Sequence, residues 1–159
     1  MNKSKKIILV PHCFTTKGFA PQHREDIDEV LQVLLNYEAG IIQMPCPHLI
    51  FLQEKSNHNK AFKIKESLID SNKLQDLNYL YSKHLNSYLI QIDEYKKQGF
   101  EIAGLIGVRR SPTCALKIGG EKHEQGVFMD IVKQRLEDKN IHTCTANIDI
   151  PLGNDKTYK

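Results

Sequence analysis

Three short apolar runs in this chain each lead into a proline that lies within two residues of a cysteine. The runs are 6–10, 41–44 and 102–108, and the cysteines that follow them are Cys13, Cys46 and Cys114. Each run has the length and composition of a buried strand. Proline ends strand pairing because it has no amide hydrogen to donate. The pattern therefore predicts three cysteines, each just beyond the carboxyl end of a strand.

A helix between the first two runs predicts how the strands pair. Apolar residues recur at helical spacing from Arg24 to about Glu38, and Gly40 is a suitable stop. A strand, a helix and a strand in succession favour a parallel pair. We expect a single compact α/β domain over 1–159, with a central, mostly parallel sheet of about four strands flanked by helices in a Rossmann-like three-layer arrangement. Loops at the carboxyl ends of such a sheet form its ligand-binding edge, so the three thiols are expected to converge.

The remaining segments fit the same fold. An apolar stripe predicts a long helix that starts near Asp70, Ser71 or Asn72 and ends at Gly99, and it favours core packing, with a homodimer seam as the alternative. A last helix is predicted over 121–138 and a last strand over 141–150. The polar segment 53–65 is expected to be an irregular surface excursion or a lid, and the tail 151–159 to be loosely ordered. The stripe consists of Leu77, Tyr81, Leu85, Tyr88, Ile92 and Tyr95.

Composition excludes several classes of protein. The 159 residues are 40% hydrophobic and 26% charged, which is typical of one globular domain. The net charge is +3, but basic and acidic residues are interspersed, so no nucleic-acid surface is predicted. We find neither a membrane span nor a signal peptide and expect a cytoplasmic protein. In that reducing compartment cysteines are more often free, metal-binding or catalytic than disulfide-bonded.

Three thiolates on separate loops can hold an iron-sulfur cluster or a zinc ion. Structural zinc usually takes close pairs of cysteines, whereas here 33 positions separate Cys13 from Cys46 and 68 separate Cys46 from Cys114. This dispersal favours a larger cluster with one iron that has no protein ligand. Cys144 has no neighbouring proline and falls inside the predicted last strand, so we interpret it as structural.

Two other functions use the same cysteines. One is a non-catalytic iron-sulfur or zinc module for redox sensing or sulfur delivery. The other is a thiol-dependent enzyme with Cys46 or Cys114 as the nucleophile, although no orienting carboxylate adjoins His12 or His48 in sequence. A single buried cysteine is most often a small apolar side chain, and it is the three together that favour a shared site.

The motifs around the three cysteines resemble those of the 2-thiouracil desulfidases and their small stand-alone relatives. The matching pieces are Val10-Pro-His-Cys13, Ile41-Ile-Gln-Met-Pro-Cys-Pro47 and Ile106-Gly-Val-Arg-Arg-Ser-Pro-Thr-Cys114, and the resemblance runs from the first strand to about Gly120. It implies that the three cysteines ligate a 4Fe-4S cluster whose open iron receives sulfur from a thiolated small molecule, such as a thiolated nucleobase. The implied reaction is hydrolytic and needs no external electron.

The resemblance also directs attention to the neighbours of the cysteines. The family often has a glutamate directly after its Cys-Pro pair, and His48 stands there in this chain, where its imidazole could replace the carboxylate in moving protons. Ser111 is a candidate catalytic residue that could bind the substrate or donate a hydrogen bond to a cluster sulfur, and capping of the following turn is the alternative. His12, Arg109 and Arg110 are candidates for binding the substrate, and the two arginines could also offset the negative charge of a thiolate-bound cluster. Ala115 replaces the glycine that usually follows the third cysteine.

Overall fold

The computed structural model of the chain describes residues 5–16, 24–58, 70–120 and 125–148. Its strands are β1 (Lys6–Val10), β2 (Gly40–Gln43), β3 (Glu101–Val108) and β4 (Cys144–Ile148). They form one sheet in the order β2-β1-β3-β4, and every neighbouring pair is parallel. The predicted parallel α/β sheet is confirmed.

Helices cover both faces of this sheet. They are α1 (His12–Thr15), α2 (Arg24–Asn36), α3 (Pro47–His58), α4 (Ser71–Lys97) and α5 (Val127–Asp138). Because successive strand side chains point to opposite faces, β1 and β3 supply two separate cores. Ile7 and Leu9 pack in the core with α3, α4 and α5, whereas Val10 packs in the core with α1 and α2. The three-layer arrangement follows from this division.

Helix α4 begins and ends as its sequence predicts. The Asp70 carboxylate caps it by accepting hydrogen bonds from the backbone N–H groups of Asn72 at 3.0 Å and Lys73 at 3.5 Å. Gly99 follows the helix with a φ of 79°, a conformation that glycine adopts without strain. The predicted stripe is buried from Leu77 to Ile92, and these residues pack inside the chain.

Several predicted boundaries differ from the structure. Residues 53–58 belong to α3, so the irregular conformation predicted for them is wrong, and the rest of that segment lies outside the described residues. The helix forms because Pro47 suits a first helical position and Ile50 and Phe51 bury one side of it. α2 ends two residues earlier than predicted, and the left-handed φ of 53° at Glu38 excludes this residue from a helix. The last helix begins at Val127 and the last strand at Cys144, so 125–126 and 141–143 were wrongly predicted as parts of these elements. The predicted helix over 121–124, the strand end at 149–150 and the tail 151–159 lie outside the described residues.

Within the described ranges, none of the helices combines the length and the apolar composition needed to cross a membrane.

Candidate functional site

The strand register places the three cysteine loops at one edge. Val10, the last residue of β1, pairs with Gln43, the last residue of β2, and β3 runs alongside β1 in the same direction. The carboxyl ends of these strands therefore face the same way. Cys13, Cys46 and Cys114 follow these three ends in the chain.

Cys13 lies in the short helix α1, directly after β1. Pro11 is the N-cap residue of this helix, with an extended φ of −62° and ψ of 153°, so the chain turns as soon as the strand ends. Phe14 is fully buried and fixes the helix against the α2 face of the sheet. The half-buried Cys13 packs against the same core.

Cys46 lies at the amino end of α3. The N–H of Met44 donates to the Val10 carbonyl at 2.7 Å, so pairing with β1 continues until Pro45 ends it. The Cys46 carbonyl accepts the first helical hydrogen bond from the Ile50 N–H at 3.0 Å. The backbone N–H groups of Leu49 and His48 donate to the Cys46 sulfur, which favours a negative charge there.

Cys114 lies in a tight turn after β3. The Ser111 hydroxyl accepts from the Cys114 N–H at 3.0 Å, and the Thr113 hydroxyl donates to the Cys114 sulfur at 3.6 Å. The Cys114 carbonyl accepts from the Val108 N–H at 2.8 Å, which folds the turn back onto its strand. Ser111 thus caps this turn, which is one of the roles predicted for it.

Contacts from β3 and β4 also hold the turn that carries Cys114. The Asn147 side chain in β4 accepts from the Leu116 N–H at 2.9 Å and donates to the Leu116 carbonyl at 2.6 Å. Gly107 in β3 has no room for a side chain, because an added Cβ would lie 2.5 Å from Asn147 Oδ1 and 2.7 Å from the Cys114 carbonyl oxygen. The glycine lets the turn approach the strand, which is one of the reasons that a glycine inside a strand is expected.

Deprotonation of Cys46 would oppose that of Cys13, and deprotonation of either would oppose that of Cys114. Burial, and then the charge of Cys46, raise the pKa of Cys13 from 9.0 to about 11. Burial is also the main cause that raises the pKa of Cys114 to about 12, and the charges of Cys13 and Cys46 add to it. Burial raises the pKa of Cys46 against the opposing backbone hydrogen bonds. Without a bound cation, the three cysteines are therefore neutral thiols at pH 7.

Burial and the repulsion between thiolates both raise the pKa of these cysteines, and a bound metal lowers it again. A metal supplies the positive charge that makes a thiolate favourable, and coordinated thiols lose their proton. An activated cysteine nucleophile instead requires a lowered pKa, and the pKa of all three is raised.

In the part of the chain that the structure describes, no group of three or more His, Cys, Asp or Glu side chains is arranged to hold a single metal ion. A four-iron cluster makes a different demand, since each of its cysteines binds a different iron and the sulfurs stand farther apart than the ligands of one ion. The donors present here are the three cysteine sulfurs and the backbone and hydroxyl groups that donate to them. This donor set fits a cluster with three cysteine ligands.

His12 directly precedes Cys13 in the chain, and His48 follows Cys46 by two positions. The Gln43 side-chain amide contacts His12 Nδ1 at 2.8 Å and also donates to the His12 carbonyl at 2.8 Å. When Nδ1 accepts from this amide, the neutral His12 ring carries its proton on Nε2. His48 is the second residue of α3 and half-buried, and burial lowers its pKa.

The two arginines differ in their environment. Arg109 is half-buried, and its backbone N–H donates to the Ile148 carbonyl at 2.9 Å. Arg110 is exposed and has a left-handed φ of 63°, a conformation that a residue other than glycine rarely adopts. Cys144 lies in β4 as predicted, but at its first position, where it is exposed. Its interpretation as a structural residue stays a prediction.

Tyr81 is a residue of this region that the sequence did not single out. It lies in α4 and is fully buried, and its ring packs edge-on against Phe128 with the centroids 5.5 Å apart. After burial, the charges of Cys114 and Cys46 are the causes that raise its pKa. A tyrosine among the leucines of a buried stripe was the available signal, because a buried hydroxyl needs a partner.

Over 160 residues the chain is 29% identical to the uncharacterized protein MJ0003 of Methanocaldococcus jannaschii, and the match covers 98% of this chain and 92% of that protein. No protein-family model matches the chain. No solved structure matches it either.

Proposed function

We propose that this protein is a desulfidase that removes sulfur from a thiolated small molecule, of which a thiouracil-like nucleobase or another thioamide is the expected class. The proposal assigns Cys13, Cys46 and Cys114 as the ligands of a 4Fe-4S cluster with one open iron. The observation that carries it is that these three cysteines follow the carboxyl ends of three neighbouring parallel strands. The effect of the charges of Cys13 and Cys46 on the pKa of Cys114 is consistent with this placement.

The surroundings of the cysteines support a cluster. Thiolate ligands carry negative charge, which the N–H groups at the start of α3 and the Thr113 hydroxyl stabilise on Cys46 and Cys114. The cluster would supply an open iron as a Lewis acid that takes up the sulfur of the substrate and polarises the carbon to which it is bound. Neither oxidation nor reduction is needed, since water replaces sulfur on that carbon and sulfide leaves.

The protein's own residues would then orient the substrate and move protons. His48 adjoins Pro47 in the first turn of α3 and would accept a proton from the attacking water. His12 presents Nε2–H as a donor for an oxygen or nitrogen of the substrate when Gln43 occupies its Nδ1. Arg109 is the better placed of the two arginines to bind an anionic substrate at the site, because Arg110 is exposed.

The test is sulfide release from 2-thiouracil and from simple thioamides by anaerobically reconstituted protein. We expect many sulfides per chain and the corresponding oxygen-containing product, with no electron donor added. Cys144→Ser is the matched control, because its thiol is exposed, and it should react as the wild type does. A protein that holds its cluster but releases no sulfide from any thioamide would be a redox or sulfur-delivery module instead.

A further inference from the structure

Two tyrosines of α4, Tyr81 and Tyr88, have buried hydroxyl groups for which the described residues provide no hydrogen-bond partner. Their rings are 0% and 7% exposed. Burying a hydroxyl without a partner destabilises a protein by about 1–3 kcal/mol. A buried polar group of this kind therefore calls for an explanation.

The two tyrosines differ in what surrounds them. The charges of Cys114 and Cys46 act on Tyr81, whereas burial is the cause that raises the pKa of Tyr88. The Tyr81 ring is also fixed, since it meets Phe128 at 90° in a buried edge-on contact. Tyr81 is thus a rigid, fully buried residue in the core against which Cys114 packs, and its hydroxyl lacks a partner among the described residues.

In the metal-free protein the Tyr81 hydroxyl has no partner among the described residues, and the sulfur of a protonated cysteine would be only a weak acceptor for it. A metal-bound thiolate is a stronger acceptor because it carries negative charge. Hydrogen bonds to the sulfurs of a cluster raise its reduction potential and help to retain the metal. Cluster binding would therefore provide the partner that Tyr81 lacks.

We propose that the Tyr81 hydroxyl donates a hydrogen bond to the iron-bound sulfur of Cys46 or Cys114 and thereby withdraws charge from the cluster. This inference rests on the proposed cluster but not on turnover. It makes Tyr81 a contact of the cofactor, located on a helix that contains none of the cysteine ligands. Its hydrogen bond would strengthen the open iron as a Lewis acid for the sulfur of the substrate.

The experiment compares Tyr81→Phe with Tyr88→Phe after anaerobic reconstitution. Each variant removes one buried hydroxyl from the same helix and keeps the ring, so both metal-free variants should be at least as stable as the wild type in urea. We expect Tyr81→Phe to lower the midpoint potential of the cluster and to lose iron to a chelator roughly 10-fold faster. Tyr88→Phe should match the wild type in both measurements.

Equal potentials and equal iron loss in Tyr81→Phe and the wild type would overturn the proposal, and so would equal changes in the two variants. The outcomes separate it from the desulfidase function. A wild-type protein that binds the cluster but releases no sulfide contradicts the desulfidase, and the potential shift in Tyr81→Phe would still support the hydrogen bond. A wild-type protein that takes up no iron overturns both.

Discussion

The Asn147 side chain bonds both backbone groups of Leu116, 31 residues away, with its Oδ1 accepting from the N–H at 2.9 Å and its Nδ2 donating to the carbonyl at 2.6 Å. This pair of hydrogen bonds joins the last strand of the sheet to the turn that carries Cys114. Leu116 itself is buried, with 1% of its surface exposed. The position of the third cysteine thus depends on a side chain of β4.

Asn147→Ala should destabilise the metal-free protein by about 2 kcal/mol, because it removes two hydrogen bonds in a partly buried region. Asn147→Asp should recover part of this, since a carboxylate still accepts from the Leu116 N–H. Urea denaturation measures both effects. Asn78→Ala is the control, because Asn78 is exposed on α4, and its stability should stay within about 0.5 kcal/mol of the wild type. Equal stability of Asn147→Ala and Asn78→Ala would contradict a stabilising role for the two hydrogen bonds between Asn147 and Leu116.

Gly107→Ala should displace the Cys114 turn, because the new methyl group would lie 2.7 Å from the Cys114 carbonyl oxygen. We expect a loss of about 1–3 kcal/mol in stability and reduced iron content after reconstitution. Gly120→Ala is the matched control, since an added Cβ there meets nothing within 4 Å. If Gly107→Ala retained wild-type stability and iron content, close packing of the turn on β3 would not matter for the site.

His48 is expected to move protons and not to hold the cluster. His48→Ala should keep the wild-type iron content and release sulfide roughly 100-fold more slowly or worse, as loss of a general acid or base does. His48→Glu should restore part of the rate, because a carboxylate can also transfer a proton. Loss of iron in His48→Ala would indicate a ligand instead, and unchanged sulfide release would remove His48 from the reaction.

The metal-free protein should lose stability as the pH rises from about 9 toward 11. The pKa of the Cys13 thiol is raised from 9.0 to about 11 in the folded state, so the unfolded chain releases this proton first. The folded state is then disfavoured by up to about 1.4 kcal/mol per pH unit for each such thiol. Denaturation midpoints at pH 8 and pH 10.5 should differ less in Cys13→Ser than in the wild type. Cys144→Ser should behave as the wild type does, and an equal pH effect in Cys13→Ser would contradict the burial of the Cys13 thiol as its cause.

The position of each cysteine just beyond a strand end could be predicted, because an apolar run and the proline after it determine local structure within a few residues. The short helix α1 around Cys13 was not predicted. Helix α3 was missed over 53–58 because these residues are polar and show no apolar periodicity. The buried side of the helix is formed earlier, by Ile50 and Phe51. The stripe in α4 predicted that Tyr81 is buried but not which groups its hydroxyl meets. Asn147 and Gln43 were missed for the same reason, since each contacts a residue 31 positions away.

The most direct test of the central claim is the amount of iron and acid-labile sulfide per chain after anaerobic reconstitution, with an absorption spectrum of the same samples. The wild type and Cys144→Ser should hold about four of each per chain. Cys13→Ser, Cys46→Ser and Cys114→Ser should each lose most of both, while remaining folded by circular dichroism. A wild-type protein that binds neither iron nor sulfide, or equal losses in all four variants, would contradict the assignment of the three cysteines as cluster ligands.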